Sequence, residues 1–275
     1  RGVIMKDFPV ALQLYSVRED MEADFAGTLQ KVKEIGYDGV EFAGLFGHDA
    51  REVNKMCKDA GLVPISAHVP FMSMISDPAI LEVYRDIGCQ YVIIPSLPGT
   101  FRPGQPRFAE MLELTKGLGE KALALGLKLG YHNHDFEFIK IDGKYAIDLM
   151  YEEVPSELLQ TEFDTCWVNV AGEDPCAYLR KYAGRIDLVH LKDYSGTRSE
   201  NMYALIGVDE DKKKQVSQSF QYRPLGMGIQ NVPSILSSAK ECGAKWMVVE
   251  QDQPSYGKTP LECAGLSLEY LNSLD

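Results

Sequence analysis

The chain is poor in the features that mark several large protein classes. No apolar run approaches the ~18–20 residues that span a bilayer, so no membrane-crossing helix is expected. A basic start followed by an apolar stretch and small residues is missing as well, so no secretory leader is read. Met5 is taken as the native start, and Arg1–Ile4 are set aside. Basic residues are scarce: 28 Lys and Arg against 40 Asp and Glu leave a net charge of −12. A duplex nucleic-acid binder displaces counterions with a basic face, so this balance weighs against one. The six cysteines, Cys57, Cys89, Cys166, Cys176, Cys242 and Cys263, form no CxxC pair. Their scatter fits a reducing, cytoplasmic setting with thiols acting as small core hydrophobes. Histidine is scarce too, five in 275 residues, which makes its placement informative.

What is present reads as a globular chain: 45% hydrophobic and 25% charged residues. Eight short apolar runs read as strands: Val10–Ser16, Gly39–Gly44, Leu62–Pro70, Gln90–Leu97, Leu127–His134, Leu158–Trp167, Ile186–Tyr194 and Trp246–Asp252. Amphipathic segments alternate with them, among them Phe25–Ile35, Pro106–Gly126, Asp174–Gly184, Val232–Gly243 and Pro260–Leu274. Gly36, Gly61, Gly88, Gly126, Gly184 and Gly243 stand where these segments give way to the next strand, as helix-terminating glycines do. Strand–helix alternation implies parallel strands, because each return in the same direction needs a crossover. Eight units in 275 residues have the size of a closed (β/α)8 TIM barrel, read as a single domain over 1–275. An open doubly wound sheet is the alternative, but no GxGxxG follows the first strand. Two insertions break the rhythm. Asp135–Lys144, after strand five, reads as a hairpin around Asp142-Gly143. Ser195–Met227, after strand seven, carries the charge run Asp209–Lys214, read as a solvated face.

Function in such a barrel sits at the strand C-termini and the loops beyond them. The strands close on Gln13 and Tyr15, Glu41, His68, Pro95-Ser96, His132-Asn133-His134, Asp164, His190-Leu191-Lys192-Asp193 and Glu250-Gln251-Asp252. Four of the five histidines fall there. Placement by proportion would put about half a histidine in those windows. A single histidine of this kind is ordinarily a hydrogen-bonded core residue. Four of them converging with carboxylates on one rim need a counter-charge, and a divalent cation is the simplest. His132, Asp164, His190 and Glu250, from strands five to eight, are the expected ligands. Imidazole and carboxylate without thiolate suit manganese, zinc, cobalt or iron rather than calcium.

At these residues the chain resembles the xylose-isomerase-like TIM-barrel superfamily of sugar isomerases and epimerases. The matching stretches are LQLYSVRED (12–20), GYDGVEFAG (36–44), ISAHVP (65–70), YHNHDFEF (131–138), FDTCW (163–167), VHLKDY (189–194), YRPLGMGI (222–229) and VVEQD (248–252). The resemblance implies a metal site of Glu, Asp, His and Glu, of which Asp164, His190 and Glu250 match directly. The strand-five glutamate stands here as His132, so the symmetric two-glutamate epimerase mechanism is in doubt. The HNH run instead resembles the inosose dehydratase branch.

The implied chemistry is proton abstraction next to a carbonyl, with one metal ion as Lewis acid. Glu250, His132 and Lys192 are the catalytic candidates. Gln13, Tyr15, Glu41, His68, His134, Trp167, Asp193 and Arg223 are the candidates for substrate contact. Isomerisation or epimerisation of a sugar or sugar phosphate is the leading expectation. A dehydratase or keto-sugar lyase on the same site and a non-catalytic sugar-binding barrel are the alternatives; an endonuclease-IV-like activity is disfavoured by charge. The expected partner is a small sugar or keto-sugar, with no nucleic acid and no membrane, and a homo-oligomer stays open.

Overall fold

The computed structural model describes residues 8–198 and 219–274. Eight strands close into one barrel: β1 (Val10–Gln13), β2 (Gly39–Phe42), β3 (Val63–His68), β4 (Tyr91–Ile94), β5 (Lys128–His132), β6 (Gln160–Asp164), β7 (Ile186–Leu191) and β8 (Trp246–Val249). Their order around the barrel is the chain order, every pair is parallel, and β8 returns to pair with β1. The chain is thus a (β/α)8 barrel.

Alternation along each strand sorts the side chains. Val10, Leu12, Val40, Phe42, Met247 and Val249 turn outward into the core shared with the helices. Ala11, Ile65, Tyr91, Ile93, Leu188 and Val248 turn inward and fill the lower barrel. Gly130 belongs to the inward set, where a Cβ would stand 2.5 Å from Ile93 Cδ1, so the packed interior leaves no room for a side chain.

The helices follow their local signals. Phe25–Ile35 starts at Asp24, whose carboxylate accepts from Gly27 N–H, and ends at Gly36 with φ 117°. It buries Phe25, Thr28, Leu29 and Val32. Ala50–Ala60 and Pro260–Asn272 each begin with a full capping box, Asp49 with Glu52 and Thr259 with Glu262.

The strands are shorter than their apolar runs suggest, because capping residues end them early. Asp164 Oδ1 accepts from the N–H groups of Cys166 (2.9 Å) and Trp167 (3.1 Å). That cap opens the helix Thr165–Val170 inside what reads as a strand. Gln13 does the same at the close of β1, accepting from Tyr15 N–H at 2.9 Å. After β5, Lys140–Ile141 and Lys144–Tyr145 pair antiparallel across Asp142 (φ 49°) and Gly143 (φ 85°), the double positive φ of a type I′ turn. After β7, Asp193–Gly196 pairs antiparallel with Phe220–Arg223. The charge run Asp209–Lys214 and the opening Arg1–Ile4 lie outside the described residues. The cysteines are free thiols, all buried except the half-buried Cys176. Among the described residues, no helix is long and apolar enough to cross a membrane.

Candidate metal centre

Strand register gathers the polar side chains into two layers. In the lower one, Gln13 pairs with Glu41 and Glu41 with Ser66 across β1, β2 and β3. Gln13 Nε2 donates to Glu41 Oε1 (2.8 Å) and Ser66 Oγ to Glu41 Oε2 (2.6 Å). Across the barrel, His132 is in register with Glu162 and Asp164 with His190.

Two overlapping four-donor groups result: His132, Asp164, His190 and Glu250 above, and His68, His132, Glu162 and His190 below. Within each group the ligand atoms lie within 4.8 Å of one another. His132 and His190 belong to both and turn opposite nitrogens to the two layers. His190 Nδ1 faces Glu250 Oε2 (3.1 Å), while its Nε2 lies 2.7 Å from Glu41 Oε1. His132 Nε2 faces Asp164 Oδ2 (3.6 Å), while its Nδ1 lies 3.3 Å from Glu162 Oε2. The shorter lower contacts assign the ring protons to the side of Glu41 and Glu162. An ion in the upper group would displace any proton from the upper nitrogens and take their lone pairs, the arrangement in which carboxylates orient metal-binding histidines from behind. Asp164 supports the same geometry: its Oδ1 caps a helix, and its buried Oδ2 faces the cluster, 3.6 Å from His132 Nε2 and 3.0 Å from the Lys192 ammonium. The upper group therefore fits a divalent cation. It also borders a cavity of about 390 Å³, which His132 and Glu250 line, so an ion held there would face substrate.

Lys192 stands against this group. It is 2% exposed, with its ammonium 3.0 Å from Asp164 Oδ2, 2.9 Å from Glu250 Oε2 and 3.3 Å from Asp252 Oδ1. The rings of Trp167 and Tyr222 flank it at 5.6 and 5.7 Å. Burial alone would strip its proton, but the three carboxylates outweigh burial and hold it charged. Burial pushes the Glu250 carboxyl up, and Lys192 and His190 more than reverse that, holding it well below the usual carboxylate range. Burial lowers His68, and Glu41 and Glu162 overcome it, raising His68 to about 10. His190 is raised in the same way, by Glu162 and Glu41 against burial. His132 goes the other way, pulled well down by burial and by the neighbouring His190 and His68. Five carboxyl groups, Glu41, Glu162, Asp164, Glu250 and Asp252, thus crowd around Lys192, His68 and His190, and burial raises Glu162, Asp164 and Asp252 above their usual range. A divalent ion held there would add positive charge among them.

The remaining residues singled out from the sequence separate cleanly. Tyr15, His68, His134 and Lys192 line the cavity with His132 and Glu250. His134 stacks on Phe136 (5.5 Å), and its buried Nδ1 has no hydrogen-bond partner among the described residues. Gln13 and Glu41, expected at the substrate, lie sealed below it with their polar atoms joined to each other and to Ser66 and His190. Trp167 is fully buried, stacked on Phe220 at 5.9 Å and 5.6 Å from the Lys192 ammonium. Asp193 holds a loop. Its Oδ1 accepts from Tyr194 N–H (2.9 Å) and Gln230 N–H (3.0 Å), and its Oδ2 from Gly226 and Gly228 N–H (both 3.0 Å). Arg223 donates to Ser195 Oγ (2.9 Å), packs on Tyr256 and lines a separate cavity of about 260 Å³.

Three site residues went unassigned in the sequence. Glu162 sits two residues before Asp164, so period-two alternation places it on the same inward face. Asp252 bears the same relation to Glu250. Glu137 carries no sequence signal. It is fully buried, accepts from Tyr131 O–H (2.6 Å) and His134 N–H (2.8 Å), and is pushed up to about 8 by burial.

With this geometry in place, the family is clear. A family model described as xylose isomerase-like TIM barrel matches residues 29–274, and the chain belongs to that family. An inosose dehydratase of Geobacillus kaustophilus is 26% identical over 272 aligned residues, covering 90% of this chain and 86% of that protein. Among solved structures, a sugar phosphate isomerase/epimerase from Parabacteroides distasonis superposes with a TM-score of 0.77 at 22% identity, covering 97% of this chain and 94% of that one. A xylose isomerase-like TIM barrel protein from Mycobacterium smegmatis in complex with magnesium gives 0.69 at 15% identity, covering 99% and 98%.

Proposed function

We propose that the chain is a divalent-metal-dependent keto-sugar isomerase or epimerase that moves a proton next to a carbonyl. The observation that carries this reading is the upper donor group, His132, Asp164, His190 and Glu250, bordering a cavity beside a charged lysine. When bound, the metal would polarise a substrate carbonyl and stabilise negative charge on the oxygen next to it. The chain's own residues do the rest. Glu250 and His134 line the same cavity and serve as the proton-handling pair. His134 suits that role because its Nδ1 is unengaged, whereas both nitrogens of His132 face carboxylates. Lys192 places an ammonium where an oxygen gaining charge needs a donor. Tyr15 and His68 contact the sugar.

A second reading uses the same site for loss of a β-hydroxyl, and the likeness to inosose dehydratases over nine-tenths of the chain favours it. One experiment tests both: metal-loaded protein incubated with ketoses and 3-keto-sugars in deuterated water, followed by NMR. Deuterium at the carbon next to the carbonyl supports isomerisation or epimerisation, and a new enone supports dehydration. Absence of exchange across the panel with Mn, Zn, Co and Fe refutes the proposal. Glu250→Gln should abolish exchange; exchange at the original rate would transfer the base role to His134.

A further inference from the structure

The cavity has two unlike sides. The β5–β8 side carries His132, His134, Lys192, Glu250 and Asp252. The β2–β4 side is walled by Ala43, Val69, Pro70, Pro95, Ile80 and Tyr84, the last two from the helix Ile80–Ile87. Three of its backbone positions offer no donor. Pro70 and Pro95 have no N–H, and Val69 N–H already donates to Ile93 O at 2.9 Å. His68, at the close of β3, and Tyr15 stand where the two sides meet; beyond them the side-chain polar groups of this wall, among the described residues, are the hydroxyls of Tyr84 and of the neighbouring Ser96.

A bare sugar fits this division poorly. A hydroxyl turned toward the patch of Val69, Pro70, Ile80 and Pro95 would lose water without gaining a partner. About 390 Å³ is also within the range that encloses a drug-sized ligand, more than one pyranose ring requires. We infer that the β2–β4 side is a subsite for an apolar aglycone, so that the substrate is a glycoside whose keto-sugar ring meets the metal group and whose aromatic or alkyl substituent packs on Val69, Pro70, Ile80 and Pro95. The inference rests on the keto-sugar reading for the ring and adds the chemistry of the rest of the molecule.

Binding tests it without turnover. Metal-loaded protein is titrated calorimetrically with the phenyl and the methyl glycoside of one hexose, and with phenol. The phenyl glycoside should bind about 10- to 100-fold more tightly than the methyl glycoside, the gain expected for burying one phenyl ring. Phenol should bind weakly. Ile80 is half-buried at the first turn of its helix, and Ile80→Ser should shrink the phenyl advantage at least several-fold. Equal affinity for the two glycosides overturns the subsite, as does phenol binding as tightly as the phenyl glycoside. A phenyl advantage untouched by Ile80→Ser overturns its placement. Failure of the keto-sugar chemistry reads out separately, as absent deuterium exchange, and leaves the binding contrast standing.

Discussion

Glu41→Gln tests the architecture of the metal centre from below. Glu41 touches no cavity surface, yet its Oε1 lies 2.7 Å from His190 Nε2 and 3.1 Å from His68 Nε2. Its place behind His190 holds the Nε2 proton, so that Nδ1, which meets Glu250 Oε2 at 3.1 Å, is the nitrogen that would turn to an ion. Glutamine keeps the volume and can still meet Gln13 and Ser66, but it removes the charge that holds the ring in that tautomer. Losing such a supporting carboxylate typically costs about 10- to 100-fold in metal affinity, or about 1.4–2.7 kcal/mol. The assay is calorimetric titration of chelator-stripped protein with Mn²⁺ at pH 7, beside Glu162→Gln, which should weaken binding through His132. Circular dichroism and the Tm of the stripped proteins separate an altered site from an altered fold. A Mn²⁺ Kd within twofold of the parent in both variants would refute the assignment of the lower carboxylates as orienting groups.

Asp164 separates two roles by substitution: Asp164→Asn should keep the helix cap and its Tm while losing Mn²⁺ binding, and Asp164→Ala should lose binding plus about 0.5–2 kcal/mol of stability. Equal Mn²⁺ content in parent and Asp164→Asn would remove Asp164 from the ligand set. Because His68 is raised to about 10 from 6.5, its contribution to the stripped protein is complete below about pH 6.5 and is lost as pH rises toward 10. Denaturant midpoints should therefore fall across that window, and His68→Asn should flatten the fall; an unchanged slope would show that His68 is not the group responsible. Gly228→Ala would put a Cβ 2.1 Å from Asp193 Oδ1 and 2.4 Å from Tyr194 O, so it should cost about 1–3 kcal/mol in urea unfolding. An unshifted midpoint would show that the four-amide hold of Asp193 on its loop is dispensable.

The barrel was legible because its signals are periodic. Eight apolar runs, glycines at helix ends and the outward turn of Phe42 and Val249 all follow from alternation. Strand ends were less legible, since Gln13 and Asp164 use their side chains to stop the very strands they close. Asp193, placed after Lys192 like a site residue, uses its carboxylate to hold its neighbour Tyr194 N–H and three distant amides. Glu162 was readable from its spacing to Asp164, but a polar residue deep within a strand has no rim position to draw attention. Glu137 needed the fold, because only the turn after β5 brings it under Tyr131 and His134.

Lys192 bears on the order of events in the life of the chain. Small zinc domains stay unfolded until their ion arrives, because nothing else offsets their ligands' mutual repulsion. Here an ammonium from β7's own extension already bridges Asp164, Glu250 and Asp252. Folding can therefore finish without an ion, and any ion the site takes would load afterwards. On the proposed metal-dependent reading, chelation would be a reversible exchange rather than a denaturing step.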